Sequence, residues 1–205
     1  MRLEKASYKA TKFSCINFHY AKSIPVNTFG YSVFNIDMVF CGVILFAMGA
    51  NNNIAKSYNL NQGQVMELVR IALNGKQEST SKALSLSLKL IKKDLPLCKL
   101  IISYADADQE HKGIIYQATN WFYTGSKMVN NKDGSFVING VRIHGKTISD
   151  KCKRFSLPKT EENIKRVYKT NDVKAYITKG KLKYVYPLHK EIIEICIELN
   201  KPYPK

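Results

Sequence analysis

The stretch from Leu100 to Gly125, LIISYADADQEHKGIIYQATNWFYTG, limits the possible folds more than any other part of this sequence. It opens with the short apolar run Leu100 to Ile102, which predicts a buried strand. A polar loop from Tyr104 to Lys112 follows, and an amphipathic segment with near-helical spacing begins after Gly113. A second short strand is predicted from Trp121 to Thr124. Because open α/β sheets bind ligands beyond the carboxyl ends of central strands, the polar loop predicts a functional site.

The residues before this stretch predict a hairpin and then a strand–helix–strand unit. Thr28 to Asp37 and Met38 to Met48 are rich in aromatic and β-branched residues, which favours a hairpin turning near residues 35–37. Gln64 to Leu73 is apolar on both faces, as is typical of a central strand. Glu67 and Arg70 interrupt that strand, so each needs a partner or a ligand, and for Arg70 a structural ion pair and a role in the site are equal alternatives. Ser79, Thr80 or Ser81 is predicted to cap the helix that follows, whose apolar residues lie about one turn apart: Leu84, Leu88, Ile91 and Leu95.

The last third of the chain is predicted to be β-rich. Phe136 to Ile148 predicts a hairpin around Asn139-Gly140, and Val173 to Tyr186 predicts another around Lys179-Gly180. A short basic helix is expected between them, ending at Tyr168. In the second hairpin, lysines alternate with tyrosines, a pattern suited to phosphate contacts and base stacking. An exposed edge hairpin protected by lysines is the alternative interpretation.

Charge indicates a polyanionic partner. The 32 lysines and arginines against 16 acidic residues give a formal net charge of +16. Half of the basic residues, 16 of them, lie from Arg142 onward, together with 7 acidic residues. This regional excess favours nucleic acid over a membrane surface, with an inert basic surface as the alternative.

Cysteine spacing and hydropathy bear on metal binding, redox state and membranes. The 5 cysteines are scattered without a CxxC pair, so no zinc site is expected. Their odd number, with no recognisable signal peptide, predicts reduced thiols in a cytosol. The longest apolar run, Met38 to Ala50, is shorter than the roughly 20 residues of a membrane span. It therefore predicts a buried strand, and no membrane partner is expected.

The segment SYADADQEHKGIIYQATNWFYTG resembles the signature of the Mom-like DNA-modification proteins of bacteriophages. Those proteins carry a ser-tyr-ala-asp loop followed by a gly-x-ile-tyr-gln-ala-x-asn-trp helix. The resemblance extends from about His19 to the C-terminal end and implies a GNAT-like α/β fold, a mixed and mainly antiparallel sheet flanked by helices. It implies a single catalytic domain, 1–205, with a core of about 15–128 and a basic, β-rich extension of about 129–205.

The resemblance also implies a function. Mom-like proteins convert adenine in DNA to acetamido-adenine (methylcarbamoyl-adenine), which protects phage DNA from restriction. The expected partner is then double-stranded DNA, with tRNA as a second one, in the cytoplasm of the infected bacterial host. Two other classes stay open: an acetyl-CoA-dependent GNAT N-acetyltransferase acting on a protein or small amine, and a non-enzymatic DNA-binding anti-restriction protein.

Candidate site residues follow from the resemblance and from the chemistry. The exocyclic amine of adenine is a poor nucleophile, so a transferase needs a base or a charge stabiliser beside it. Asp106 is the first candidate base, His19 a candidate second base, and Tyr116 the candidate acid for the leaving group; Tyr20, next to His19, is a further catalytic candidate. Candidates for binding the donor are Arg70, Ser81, Ser103 and Tyr104. Candidates for binding adenine or DNA, after base flipping, are Gln117, Asn120, Lys179, Lys181 and Lys183. For Gln117 and Asn120, hydrogen bonding at a helix end is the equal alternative.

The donor is predicted from the loop before the helix and from atom counting. In GNAT enzymes a glycine-rich loop holds the coenzyme A pyrophosphate at a helix start. Residues 74–81, NGKQESTS, lack the paired glycines of that loop. The product implied by the resemblance also contains one nitrogen more than acetyl transfer would supply. A glycyl donor, most simply glycyl-tRNA, supplies that nitrogen, and acetyl-CoA is the alternative donor.

Overall fold

Strands and helices alternate along the chain in this computed structural model, which describes residues 1–48, 53–127 and 131–204. The strands are β1 (Arg2–Lys5), β2 (Thr28–Phe34), β3 (Phe40–Met48), β4 (Val65–Leu73), β5 (Leu100–Asp106), β6 (Phe122–Lys127), β7 (Asn131–Ile138), β8 (Val141–Ile143), β9 (Val173–Thr178) and β10 (Lys181–Pro187). The helices are α1 (Tyr8–Phe18), α2 (Thr80–Asp94), α3 (Ile114–Gln117), α4 (Gly145–Arg154), α5 (Glu161–Tyr168) and α6 (Ile193–Glu198).

Two sheets organise these elements. The larger sheet has seven strands in the order β1-β2-β3-β4-β5-β10-β6, and the smaller has three in the order β8-β7-β9. Neighbours from β1 to β4 pair antiparallel, whereas β4 and β5 pair parallel. The mixed, mainly antiparallel sheet flanked by helices confirms the predicted fold class.

The chain divides into two compact units. Unit 1 comprises residues 1–105, 111–125 and 182–205, and unit 2 comprises residues 106–110 and 126–181. In unit 1, helix α2 packs its buried side chains Leu84, Leu88 and Ile91 against a core that includes Phe46 and Ile101. These are three of the four residues of the predicted apolar stripe, so the helical periodicity is confirmed; the fourth, Leu95, is the C-cap of α2 and is partly buried against the same core. Unit 2 has its own core of Ile138, Ile148, Cys152, Ile164 and Val173.

Several local predictions hold. The hairpin of β2 and β3 turns through Asn35, whose side chain accepts the backbone N–H groups of Asp37 and Val39. Helix α2 begins at the cap residue Ser79, whose hydroxyl accepts the N–H of Lys82 at 3.2 Å. The turn at Asn139-Gly140 joins β7 and β8.

Other local predictions are wrong. Val173 to Tyr186 is not a hairpin, because β9 pairs with β7 while β10 lies between β5 and β6 in the larger sheet. Tyr184 and Val185 are fully buried, which suits a central strand rather than an exposed hairpin arm. Ile148 lies in α4, so the strand conformation predicted up to that residue ends earlier, at Ile143.

The Leu100–Gly125 stretch also departs from its predicted secondary structure. Strand β5 continues to Asp106, so the polar loop begins later than the sequence indicated. Helix α3 contains only four residues, because the chain turns at Asn120, whose φ of +60° is left-handed and cannot continue a helix.

The structure also bears on the predicted extension, the cysteines and the membrane. The proposed boundary at 128–129 lies outside the described residues, as does the end of the apolar run at 49–50. The strand β10, from the predicted extension, belongs to the larger sheet. All five cysteines are buried and free. Among the described residues, no helix is long and apolar enough to cross a membrane.

Candidate active site

A gap opens between β4 and β5. The two strands pair in parallel from Val65–Leu68 to Leu100–Ser103, and none of the described residues beyond these pairs with the facing strand. At the same place the register of β3 and β4 shifts, because Leu45 faces Arg70 while Phe46 faces Leu68, leaving Val69 as an extra residue. Such a bulge bends and twists a strand. The gap therefore exposes two strand edges whose backbone groups do not bond each other, which gives a ligand polar groups to bind.

Arg70 follows the bulge and places a cation beside this gap. Its Nη1 donates to the carbonyl of Val69 at 2.7 Å, and its Nη2 lies 3.4 Å from the Ser23 hydroxyl. Its Nε is buried without a hydrogen-bond partner. No salt bridge to Arg70 occurs among the described residues, so the ion pair considered from the sequence is not present there. A guanidinium with unused donors suits a carbonyl or phosphate oxygen.

Ser103 and Tyr116 form a hydroxyl pair at the last paired position of β5. Their oxygens are 2.8 Å apart, and the Ser103 hydroxyl also lies 3.0 Å from the carbonyl of Leu68. Serine carries one hydroxyl proton, so it donates either to Leu68 or to Tyr116 at a given moment. When Ser103 donates to Leu68, Tyr116 donates to Ser103. When Ser103 donates to Tyr116, the tyrosine proton is free for another acceptor.

The environment of Tyr116 keeps it protonated. Burial raises the pKa of its phenol to about 12, outweighing the hydrogen bond with Ser103, which lowers the pKa. The rings of Tyr184 and Trp121 lie 4.9 and 5.1 Å from the Tyr116 ring and hold it in place. Tyr116 can therefore act as an acid or hydrogen-bond donor near neutral pH and not as a base.

Gly113 and Tyr184 hold the start of α3. Gly113 has a φ of +75°, and a Cβ built on it would lie 2.4 Å from Cε2 of Tyr184. The Tyr184 hydroxyl donates to the carbonyl of Lys112 at 2.6 Å. The amide of Gln117 donates to the same carbonyl at 3.1 Å and lies 3.4 Å from the Tyr184 hydroxyl. The side-chain amide of Gln117 therefore makes a hydrogen bond at the helix end, which is the alternative to adenine binding that the sequence left open.

His19, Tyr20 and His111 line up after the end of α1. The rings of His19 and Tyr20 stack with centroids 4.4 Å apart, and His111 meets the Tyr20 ring edge-on at 5.8 Å. The pKa of His19 is lowered to about 4 by burial and then by the positive charges of Arg70, His111 and Lys22. The sequence placed His111 in the polar loop without a role, because nothing local links it to residues near position 20.

The structure brings together, within unit 1, the candidates His19, Tyr20, Arg70, Ser103 and Tyr116. The other two candidates for donor binding, Ser81 and Tyr104, make contacts with different residues. The Ser81 hydroxyl lies 3.0 Å from that of Ser79 at the start of α2. Tyr104 packs against a separate cluster that includes Tyr58 and Ile102. Asn120 is exposed in the turn after α3.

The remaining candidates make contacts of their own or are exposed. The Asp106 carboxylate accepts the N–H of Asp108 at 3.0 Å and caps a short turn in unit 2. Lys179 and Lys181 are exposed. The structure corrects the prediction that Lys183 binds DNA. Its side chain is buried, with Nζ 4.8 Å from the ring centre of Tyr58, so its charge is not available to a phosphate in solution.

Within unit 2, Asp108 ties the 106–110 segment to β9. Its carboxylate accepts the N–H of Lys179 at 2.7 Å and the hydroxyl of Thr178 at 2.8 Å, and it pairs with Arg142 at 2.9 Å. Burial alone would raise the pKa of Asp108, but these hydrogen bonds and the guanidinium together lower it. Asp108 is therefore a structural anion.

A mixed sheet whose adjacent parallel strands part beside a polar cluster has the fold of the GNAT acetyltransferases. A chimera built on the spermidine N-acetyltransferase SpeG from Vibrio cholerae matches with a TM-score of 0.51 and 8% identity, over 92% of this chain and 97% of that chain. A mutant of the same enzyme matches with a TM-score of 0.50 and 9% identity, over 95% and 99%. At these identities the likeness concerns the fold alone.

The chain belongs to the Mom protein family, whose profile matches residues 1–205. No curated protein sequence gives a match. The family assignment confirms the resemblance found in the Leu100–Gly125 stretch.

Proposed function

We propose that this protein is an acyltransferase that modifies the exocyclic amine of adenine in DNA, giving acetamido-adenine and protecting phage DNA from restriction. Membership of the Mom family supports this proposal. The observation that carries the acyl-transfer part is the gap between β4 and β5, beside which Arg70 has unused donors and Tyr116 a protonated phenol. An adenine would have to leave the DNA stack to be modified, so base flipping is part of the proposal.

The donor would bind along the gap. The unpaired edges of β4 and β5 can accept and donate hydrogen bonds to a ligand, and Arg70 can bind a carbonyl or phosphate oxygen. The loop before α2 fits a coenzyme A pyrophosphate only in part. Ser79 already caps the helix by accepting the N–H of Lys82, so a phosphate would have to displace this cap.

Tyr116 would protonate the leaving group. Its phenol is neutral, and Ser103 can donate to it as its own proton departs, because the two hydroxyls are 2.8 Å apart. Asp106 stays the predicted base for the attacking amine, on the strength of its place in the family motif. Asp106→Asn and Tyr116→Phe should each abolish modification while leaving the fold intact. Full activity in either variant would remove that residue from the mechanism.

A glycyl donor, carried by tRNA, accounts for the atoms of the product. Glycyl transfer to the adenine amine forms an amide and releases the tRNA hydroxyl. The free glycyl amine can then attack the ring carbon, and the original adenine nitrogen departs as the amide nitrogen. The rearrangement is an isomerisation, so it needs no oxidant and no second donor. The excess of basic residues is consistent with two nucleic-acid partners.

Mass spectrometry of nucleosides from DNA co-expressed with the protein tests the proposal. Glycyl transfer adds C2H3NO to deoxyadenosine, whereas acetyl transfer from acetyl-CoA adds C2H2O. With glycine labelled at nitrogen, the label should appear on the purine-attached nitrogen. Label entering only from acetate, or activity without charged tRNA, would exclude the glycyl donor and leave acetyl-CoA.

Two outcomes would point to the other classes. Unmodified DNA together with tight acetyl-CoA binding would favour an N-acetyltransferase acting on a protein or small amine, an activity found on the same fold in the spermidine enzyme. Protection of DNA from restriction that survives Asp106→Asn and Tyr116→Phe would favour a non-enzymatic DNA-binding protein.

A further inference from the structure

One of the two imidazole nitrogens of His19 already accepts a hydrogen bond. Its Nδ1 accepts the backbone N–H of Ala21 at 3.1 Å. A nitrogen that accepts a hydrogen bond carries a lone pair, so the neutral ring must have its proton on Nε2. Among the described residues, Nε2 has no hydrogen-bond partner, and it is not one of the buried unpartnered atoms. It is therefore an N–H group open to a ligand.

The surroundings of His19 oppose the protonated ring. A second proton would have to enter at Nδ1, where the N–H of Ala21 points. Electrostatic interactions with Arg70, His111 and Lys22 also lower the pKa of the ring, after the larger effect of burial. A histidine that works as a general base is commonly paired with a carboxylate that stabilises the imidazolium, and no carboxylate in the described part of the chain is hydrogen-bonded to His19.

The position of the ring is fixed. Stacking on Tyr20 at an interplanar angle of 29° sets its plane, and His111 supports the outer edge of Tyr20. The segment that carries His19 also reaches the guanidinium beside the gap, because the Ser23 hydroxyl lies 3.4 Å from Nη2 of Arg70, and Arg70 lowers the pKa of His19. Fixed donors near a developing negative charge are the usual means of stabilising the intermediate of acyl transfer.

We propose that His19 is a neutral hydrogen-bond donor whose Nε2–H binds the carbonyl oxygen of the transferred acyl group. This reverses the base role predicted from the sequence, and it rests on the proposed acyltransferase function. When the acceptor nitrogen attacks the carbonyl carbon, the π electron pair moves to the oxygen, and Nε2–H stabilises the resulting charge. The pair returns as the bond to the leaving oxygen breaks. His19 keeps its proton throughout, and another base takes the proton of the amine.

Nitrogen NMR of protein labelled in its histidines tests the tautomer without any assay of activity. At about neutral pH we expect an unprotonated shift for Nδ1 of His19 and a protonated shift for Nε2, assigned by loss of the signals in His19→Gln. His144 is an internal reference, since its Nδ1 accepts the N–H of Lys146 at 3.2 Å. A proton on Nδ1, or an imidazolium near neutral pH, would overturn the proposal even if the protein proves to be an acyltransferase.

A pair of variants tests the role. His19→Gln retains an N–H donor but offers no base, so we expect it to keep kcat within about tenfold of wild type. His19→Ala should lose about 10²–10³-fold, as removal of one oxyanion donor typically does. His144→Asn, which preserves a good helix cap, should leave activity unchanged. Equal inactivity of His19→Gln and His19→Ala, with both proteins folded, would restore the base role. If wild type itself transfers no acyl group, the function fails and the NMR result stands alone.

Discussion

Replacement of Gly113 by alanine tests how the start of α3 is held. The residue adopts a left-handed backbone with a φ of +75°, which costs an alanine about 1–2 kcal/mol. Its Cβ would lie 2.4 Å from Cε2 and 2.5 Å from Cζ of Tyr184, so the ring must move. Overpacking of this kind costs about 1–3 kcal/mol. We expect Gly113→Ala to lower the free energy of unfolding by about 2–5 kcal/mol.

Gly75→Ala is the matched control. Gly75 also has a left-handed backbone, with a φ of +82°, but its Cβ would meet nothing within 4 Å. It should therefore show the backbone cost without the collision. The difference between the two variants measures the steric term, and the reduced entropy of the unfolded chain affects both alike.

Urea unfolding followed by tryptophan fluorescence measures this difference. The protein has a single tryptophan, Trp121, which is buried beside Tyr116 and so follows the core of unit 1. We expect a lower midpoint with little change in the slope of free energy against urea. Unfolding free energies for Gly113→Ala and Gly75→Ala that agree within about 0.5 kcal/mol would refute the reasoning.

Three further predictions concern other parts of the protein. Ser103→Ala should lower kcat about tenfold or more with little change in KM for the donor, because it removes the group that can replace the Tyr116 proton; steady-state kinetics decide this. Replacing Lys179 and Lys181 by glutamine should flatten the log–log salt dependence of DNA binding by roughly 0.9 per lost phosphate contact, and an unchanged slope would place the DNA elsewhere. The lowered pKa of Asp108 contributes stability above its unfolded pKa that is lost as the pH falls. Asp108→Asn should therefore be less stable at neutral pH and less sensitive to acid, as thermal melts from neutral pH to about pH 3 would show.

Local pattern predicted a good part of the fold. Hydrophobic periodicity predicted strands β3, β4 and β5 and the apolar stripe of α2, and side-chain chemistry limited the helix cap to Ser79, Thr80 or Ser81, of which Ser79 is the cap. These features depend on residues only a few positions apart, which is why sequence alone predicted them. The sequence also picked out Tyr116 and Arg70 as candidates, the one through the family motif and the other as a charge inside an apolar strand.

Local sequence pattern could not predict which strands pair with one another. The alternation in Val173–Tyr186 predicts two strands but does not say which edges they join, and the shortest connection led to a hairpin that does not form. Burial of Tyr184 and Val185 between two neighbours decides the place of β10, and that is a property of the whole sheet. The burial of Lys183 has the same cause. The sequence predicted this side chain on a basic surface, but β10 lies inside the sheet and buries it.

The sequence by itself determined the family and the helix and strand segments of the core, and it singled out most of the polar residues of the candidate site. Only the tertiary structure decided where β4 and β5 part, which placed Arg70 and the Ser103–Tyr116 pair beside one gap. The donor role that we propose for His19 also depends on tertiary structure, because it is argued from the backbone N–H of Ala21 and from the side chains of Arg70, His111 and Lys22 around the ring. Residue types and periodicity are properties of short segments. Hydrogen-bond direction, burial and the local electrostatic field are set by groups that folding brings together from distant positions.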